Sequence, residues 1–176
     1  EPAGLLHAAL GLSHCAHGLI KAIDLSAVKD SPGVELVLTA ADVPGVNDVS
    51  PSNSHDDPVF AEGKVMFYGQ PIFAVIARTR NEARLAAAKA RITYEELPAV
   101  LDIEAARKNG RTSDGLDLVA VPMSLNRGDV EAAMAAAPRR IKSSMNLGGQ
   151  EHFYLESHIA LAVPGEDGDV TVYSST

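Results

Sequence analysis

The sequence predicts an α+β fold, and three observations predict it. Strand patterns outnumber helical ones; they do not alternate strictly with helices as a doubly wound sheet requires; and the two Ala-rich helical segments each follow a recognisable cap. The chain has 176 residues, 46% of them apolar and 22% charged, which suffices for one or two packed domains.

Leu5 to Leu12 and Gly18 to Leu25 read as short strands. The turn Ser31-Pro32-Gly33 leads into Val34 to Thr39, a β-branched strand. Thr39 with Asp42 three residues on caps a single helical turn that Pro44-Gly45 stops, and residues 45–58 form a loop. Lys64 to Phe67 and Pro71 to Arg78 are two further strand patterns joined at Tyr68-Gly69-Gln70. Ile72 to Ala77 is apolar throughout, the pattern of a strand covered on both faces.

Thr79 is placed as N-cap, with Glu82 at N3, for a helix from Arg80 to about Ala90, and Ile92 to Glu95 follows as a strand. Asp102 caps a short helix that runs to Lys108 and stops at Asn109-Gly110. Residues 110–128 read as loop and weak strand, an interdomain linker. Gly128-Asp129 opens an Ala-rich helix that ends before Pro138. Arg140 to Leu147 alternates Ile141, Ser143, Met145 and Leu147 against polar residues, as a half-buried strand does. Tyr154 to Val163 is strand-like, a hairpin through Pro164 to Gly168 follows, and Val170 to Thr176 is a strand pattern without a following turn. With no methionine at the start, both ends read as cuts in a longer protein.

Composition excludes several functions. One cysteine, Cys15, builds no intramolecular disulfide, four-cysteine zinc site or cysteine-ligated iron-sulfur cluster within this chain. A net charge of −8 is the wrong sign for nucleic acid binding. No apolar run approaches the roughly 20 residues of a membrane span, and Glu1-Pro2-Ala3-Gly4 lacks the basic segment of a signal peptide, so the expected location is cytoplasmic.

Candidate chemistry is sparse. His14-Cys15-Ala16-His17 gathers soft ligands, but His14 and Cys15 on a strand would face opposite ways. Glu151, His152, Glu156 and His158 match no standard ligand spacing. Arg127-Gly128-Asp129 reads as a turn into a cap, and Glu62-Gly63-Lys64 only faintly resembles a lysine carrier site. From Asp30 to Glu62 there are seven acids and no Lys or Arg: a solvated face, or a docking surface for a non-catalytic interaction module. In Gly148-Gly149-Gln150, two glycines permit positive φ and close backbone approach. Gln150 adds an uncharged amide that suits a metal oxo group. By local propensity the segment is a turn.

The run from Gly148 to Glu156, Gly-Gly-Gln-Glu-His-Phe-Tyr-Leu-Glu, resembles the opening of the molybdopterin-binding domain in the xanthine dehydrogenase and aldehyde oxidase family of molybdenum hydroxylases. Ala16 to Ile20, Pro32-Gly33-Val34, Thr39 to Gly45, Gly69-Gln70-Pro71-Ile72, Glu82-Ala83-Arg84 and Tyr94 to Ala99 resemble, in order, its α/β hammerhead domain. The resemblance implies a hammerhead domain over residues 1–142 and, over 143–176, the truncated first strands of a molybdopterin-binding domain. It implies that Gln150 hydrogen-bonds an oxygen on the molybdenum without ligating the metal, with Gly148 and Gly149 beside the cofactor.

It further implies a purine-oxidising enzyme that converts hypoxanthine and xanthine to urate with water as oxygen source. The catalytic residues would lie beyond Thr176, leaving the fragment inactive alone, and the 2Fe-2S clusters and FAD would sit in other domains or subunits. An aldehyde-oxidising member of the family is the alternative. Residues after Gly148 are expected to be poorly packed without their sheet partners, and unpaired strand edges there to favour association between copies as a homo-oligomer.

Overall fold

In a computed structural model, residues 2–51, 55–110, 125–155 and 157–175 are described. Much of the expected linker 110–128, and Glu156, therefore lie outside the described residues. The chain divides into two units, Glu1–Met123 and Ser124–Thr176.

The first unit is α+β, with antiparallel pairing in both its sheets. Strands β1 (His7–Leu12), β5 (Pro71–Ala77) and β3 (Val34–Thr39) form one sheet in the order β1-β5-β3. Strands β4 (Lys64–Val65), β2 (Gly18–Asp24) and β6 (Arg91–Glu96) form the other, in the order β4-β2-β6. Helix α2 (Arg80–Ala87) packs on β1 and β5, and the four-residue α1 (Ser26–Lys29) packs beside β3.

The core gathers Val28, Val65, Ile72, Phe73, Val75 and Ala86, each no more than 1% exposed. Burying side chains of the size of Val75 or Phe73 stabilises by about 1.5–3 kcal/mol each. Gly11 pairs with Phe73 across the sheet, and the phenyl ring occupies the space a side chain at Gly11 would need: an ideal Cβ there would stand 1.9 Å from Cε1. The strand tolerates a glycine because the ring lies over it.

Local signals explain most boundaries. Thr39 donates from both its N–H and its hydroxyl to Asp42, 2.8 Å each, and holds the single 3₁₀ turn Ala40–Asp42. Thr79 Oγ1 accepts from the Glu82 N–H at 3.2 Å, while its own hydroxyl donates to the Glu82 carboxylate at 2.8 Å. The box thus closes through the hydroxyl, and α2 ends at Ala87, three residues before the expected Ala90. Helix α3 (Ile103–Asn109) starts at Asp102, which accepts from Ala105 N–H at 2.7 Å, and stops at Gly110 with φ 67°. Gly33, at φ 76°, turns the chain between α1 and β3 and leaves room for the Glu82 carboxylate.

Two expectations in this unit change. The pattern Lys64 to Phe67 yields only two strand residues, and these lie in a different sheet from β5. The buried Gln70 side chain is the reason: its Oε1 accepts the Met66 N–H at 2.7 Å, and the Gln70 N–H donates to Phe67 carbonyl at 3.3 Å, so a turn replaces a ladder. Strand β5, expected to be covered on both faces, is covered by α2 on one.

The second unit holds α4 (Val130–Ala136), capped by Asp129 accepting from Ala132 N–H at 2.9 Å, and a hairpin of β7 (Ala160–Pro164) and β8 (Val170–Ser174). The hairpin turns through a 3₁₀ segment, Glu166–Gly168, with Asp167 and Gly168 at positive φ. Arg140 to Leu147, expected as a half-buried strand, is not one: no described strand pairs with it, and Ile141, Met145 and Leu147 are exposed. Alternation selects a face, but a ladder needs a second strand to accept it. The strand expected from Tyr154 begins only at Ala160, because Phe153 takes a left-handed φ of 54° and the chain bends.

Candidate functional site

Gly148, Gly149 and Gln150 lie in an exposed, irregular stretch of the second unit. The expected turn is not formed, and neither glycine takes a positive φ. What the glycines provide is space: a Cβ added at either would meet nothing within 4 Å. A ligand can therefore approach this backbone without displacing protein atoms, and the Gln150 amide stands beside it as an uncharged donor and acceptor.

The bend after Gln150 has a local cause. The Glu151 carboxylate accepts the Phe153 N–H at 3.4 Å, while Phe153 is 90% exposed and in the left-handed region. His152 stacks on Tyr154 with centroids 5.4 Å apart, and Tyr154 meets His158 edge-on at 5.9 Å. No described residue of this unit is buried. Among the described residues, no three His, Cys, Asp or Glu side chains gather as metal ligands do.

The other candidates take structural positions. Cys15 is buried and its thiol donates to the His17 carbonyl at 3.2 Å. His17 Nδ1 donates to the Pro98 carbonyl at 2.9 Å, and the exposed His14 stands 3.4 Å from the Tyr68 hydroxyl. Ser13 and Gln70 went unremarked as buried polar groups. Ser13 N–H donates to the Gln70 carbonyl at 2.8 Å and Gly69 N–H returns to Ser13 at 2.9 Å, tying two loops at one end of the sheets. The only signal for them was the Gly-Gln-Pro-Ile match at residues 69–72.

Several acids of the 30–62 segment are engaged within the fold. Glu35 accepts from Arg78 Nε at 2.6 Å, which raises the Arg78 pKa. Hydrogen bonds from Ser50, then from His55, hold the Asp48 carboxyl below the usual range; those from Thr39 do the same for Asp42, and those from Ser26 for Asp24. A cavity of about 500 Å³ lined by Ile23, Leu25, Lys29, Thr39, Glu62 and Ile72 lies in the first unit, away from Gln150. Among the described residues no helix is long and apolar enough to cross a membrane.

Comparison with known proteins assigns a class to this arrangement. Residues 116–176 match the molybdopterin cofactor-binding domain, so the second unit is the start of a domain of molybdenum-cofactor proteins. Residues 1–98 match the a/b hammerhead domain of aldehyde oxidase and xanthine dehydrogenase, and the chain belongs to that family. The chain is 41% identical to xanthine dehydrogenase of Oryza sativa subsp. japonica over 99% of its length, and covers 13% of that protein. It is 38% identical to aldehyde oxidase 2 of Mus musculus over 97% of its length, and covers 12% of it. The aldehyde oxidoreductase structure from Desulfovibrio gigas superposes on all of the chain with a TM-score of 0.81 at 30% identity, over 21% of its own chain. The chain thus spans about an eighth of the curated relatives it matches.

Proposed function

We propose that the chain forms the hammerhead portion and the start of the cofactor-binding portion of a molybdenum hydroxylase that oxidises purines, hypoxanthine and xanthine to urate, with water as the oxygen source. The observation that carries this reading is the open Gly148-Gly149-Gln150 segment, an exposed amide behind two unobstructed glycines inside the matched cofactor-binding region. The residues fit the group: an amide hydrogen-bonds an oxygen on molybdenum without adding charge, and no side chain here competes to ligate the metal.

When bound, the molybdenum centre supplies the electron acceptance and oxygen transfer of the hydroxylation. The role of this chain is to position it. Gln150 donates its amide N–H to an oxygen of the centre, Gly148 and Gly149 leave the approach clear, and Glu151 fixes the bend that follows by holding the Phe153 N–H. The iron-sulfur clusters and FAD belong to other domains or subunits, because Cys15 alone, buried and bonded to the His17 carbonyl, cannot hold a cluster. Aldehyde oxidation is the second reading, supported by the 38% identity to aldehyde oxidase 2 of Mus musculus.

The test is Gln150→Ala in the complete molybdenum-loaded enzyme, assayed with xanthine and with an aromatic aldehyde. Loss of one hydrogen bond to a charged centre, about 1.5–3 kcal/mol, lowers turnover roughly tenfold or more while the melting temperature stays unchanged. Unchanged turnover contradicts the role of Gln150, and turnover of the aldehyde alone replaces the purine reading.

A further inference from the structure

An antiparallel sheet that meets water on one side alternates apolar and polar residues. The β1-β5-β3 sheet does not. Its pairing places Ala8, Ile76 and Leu36 in one row and Leu10, Ala74 and Leu38 in the next, all on the same face. The opposite face, with Val75 and Phe73, is closed by α2. On the aliphatic face Leu10 and Leu36 are each 51% exposed, and none of the six side chains is charged or forms a hydrogen bond. Ala74 is shielded only by the leucines paired beside it. The all-apolar run from Ile72 to Ala77 is therefore that of a twice-covered strand with one cover present.

We infer that this face is the seat of the remainder of the molybdopterin-binding domain, of which residues 116–176 are the start. The inference rests on the reading of the chain as part of a larger enzyme. Relatives hold the matched stretch as 12–13% of one polypeptide, so a permanent covering surface is available within the same chain. A flat, wholly aliphatic face suits such a permanent contact, and a transient partner would be expected to meet polar groups. A second copy of this chain carries the same net charge of −8, which opposes self-docking. No small ligand is accommodated, because neither the 500 Å³ cavity nor the 190 Å³ cavity beside Tyr68 is lined by any of the six residues.

The test is the double substitution Leu10→Lys/Leu36→Lys, made both in the complete enzyme and in the 176-residue chain. In the short chain the lysines stay in water, and the melting temperature is unchanged. In the complete enzyme they are buried without partners, and the folded, assembled fraction falls about tenfold or more. If that variant does not accumulate, Leu10→Ala/Leu36→Ala lowers the melting temperature of the complete enzyme and not that of the short chain. Equal effects in both proteins, or none in either, overturn the inference. A short chain that is dimeric and becomes monomeric with the lysines gives the face to a second copy and also overturns it. The functional reading fails separately: molybdenum analysis of the wild-type complete protein decides it, and a molybdenum-containing enzyme that tolerates the lysines removes only the seat.

Discussion

Phe73 and Phe153 mark the contrast between the two units of this chain. Phe73 is 1% exposed, laid over Gly11 in a sheet closed by α2, whereas Phe153 is 90% exposed at a bend. Both units are rich in apolar residues, yet the first buries a core and no described residue of the second is buried. Apolar content does not make a domain; it must be matched by enough strands and helices to close around it. The second unit has one hairpin and one helix of seven residues.

The largest expected effect breaks this contrast directly. Phe73→Ala removes a fully buried ring and costs about 3–5 kcal/mol, whereas Phe153→Ala leaves stability within about 0.5 kcal/mol, both read by chemical denaturation of the 176-residue chain. Gly11→Ala, which forces a methyl group against the Phe73 ring, follows at about 1–3 kcal/mol. Gly148→Ala, with nothing within 4 Å of its Cβ, is the matched control in the second unit and leaves the denaturation midpoint essentially unchanged.

The smallest effect is electrostatic. Asp24, Asp42 and Asp48, all in the first unit, have carboxyls held below their ordinary value of 3.8 by hydroxyl and N–H donors. A lowered folded pKa contributes stability that is fully present above 3.8 and is lost as pH falls through the folded values. The melting temperature is therefore insensitive to pH near neutrality and declines in acid, and carboxyl titration by NMR places these three midpoints below 3.8. Midpoints at or above that value contradict the assigned donors.

Much of the first unit was legible because its signals are local. Val34 to Thr39 was read to the residue, and Thr79, Asp102 and Asp129 are caps that their own sequence neighbourhood specifies. What escaped depends on distant partners. The Gln70 side chain takes the Met66 N–H that a longer β4 would have used, and Arg140 to Leu147 has strand periodicity but no described strand to pair with. The four-residue α1 is too short to carry a period. At the candidate site, the amide chemistry of Gln150 was visible in the residue type, whereas the glycines proved to give open space without a turn. The expected role of Gln150 came from resemblance, since its geometry relative to a cofactor depends on parts of the enzyme outside these residues.

The most direct test is amide hydrogen exchange on the 176-residue chain, compared segment by segment. The amides of Ile72 to Ala77 should exchange slowly, near the global unfolding limit, while those of residues 140–152 exchange at rates close to an unfolded peptide. Protection of residues 140–152 comparable to that of β5 would contradict the account, because it would mean that the second unit closes its own core without the rest of the enzyme.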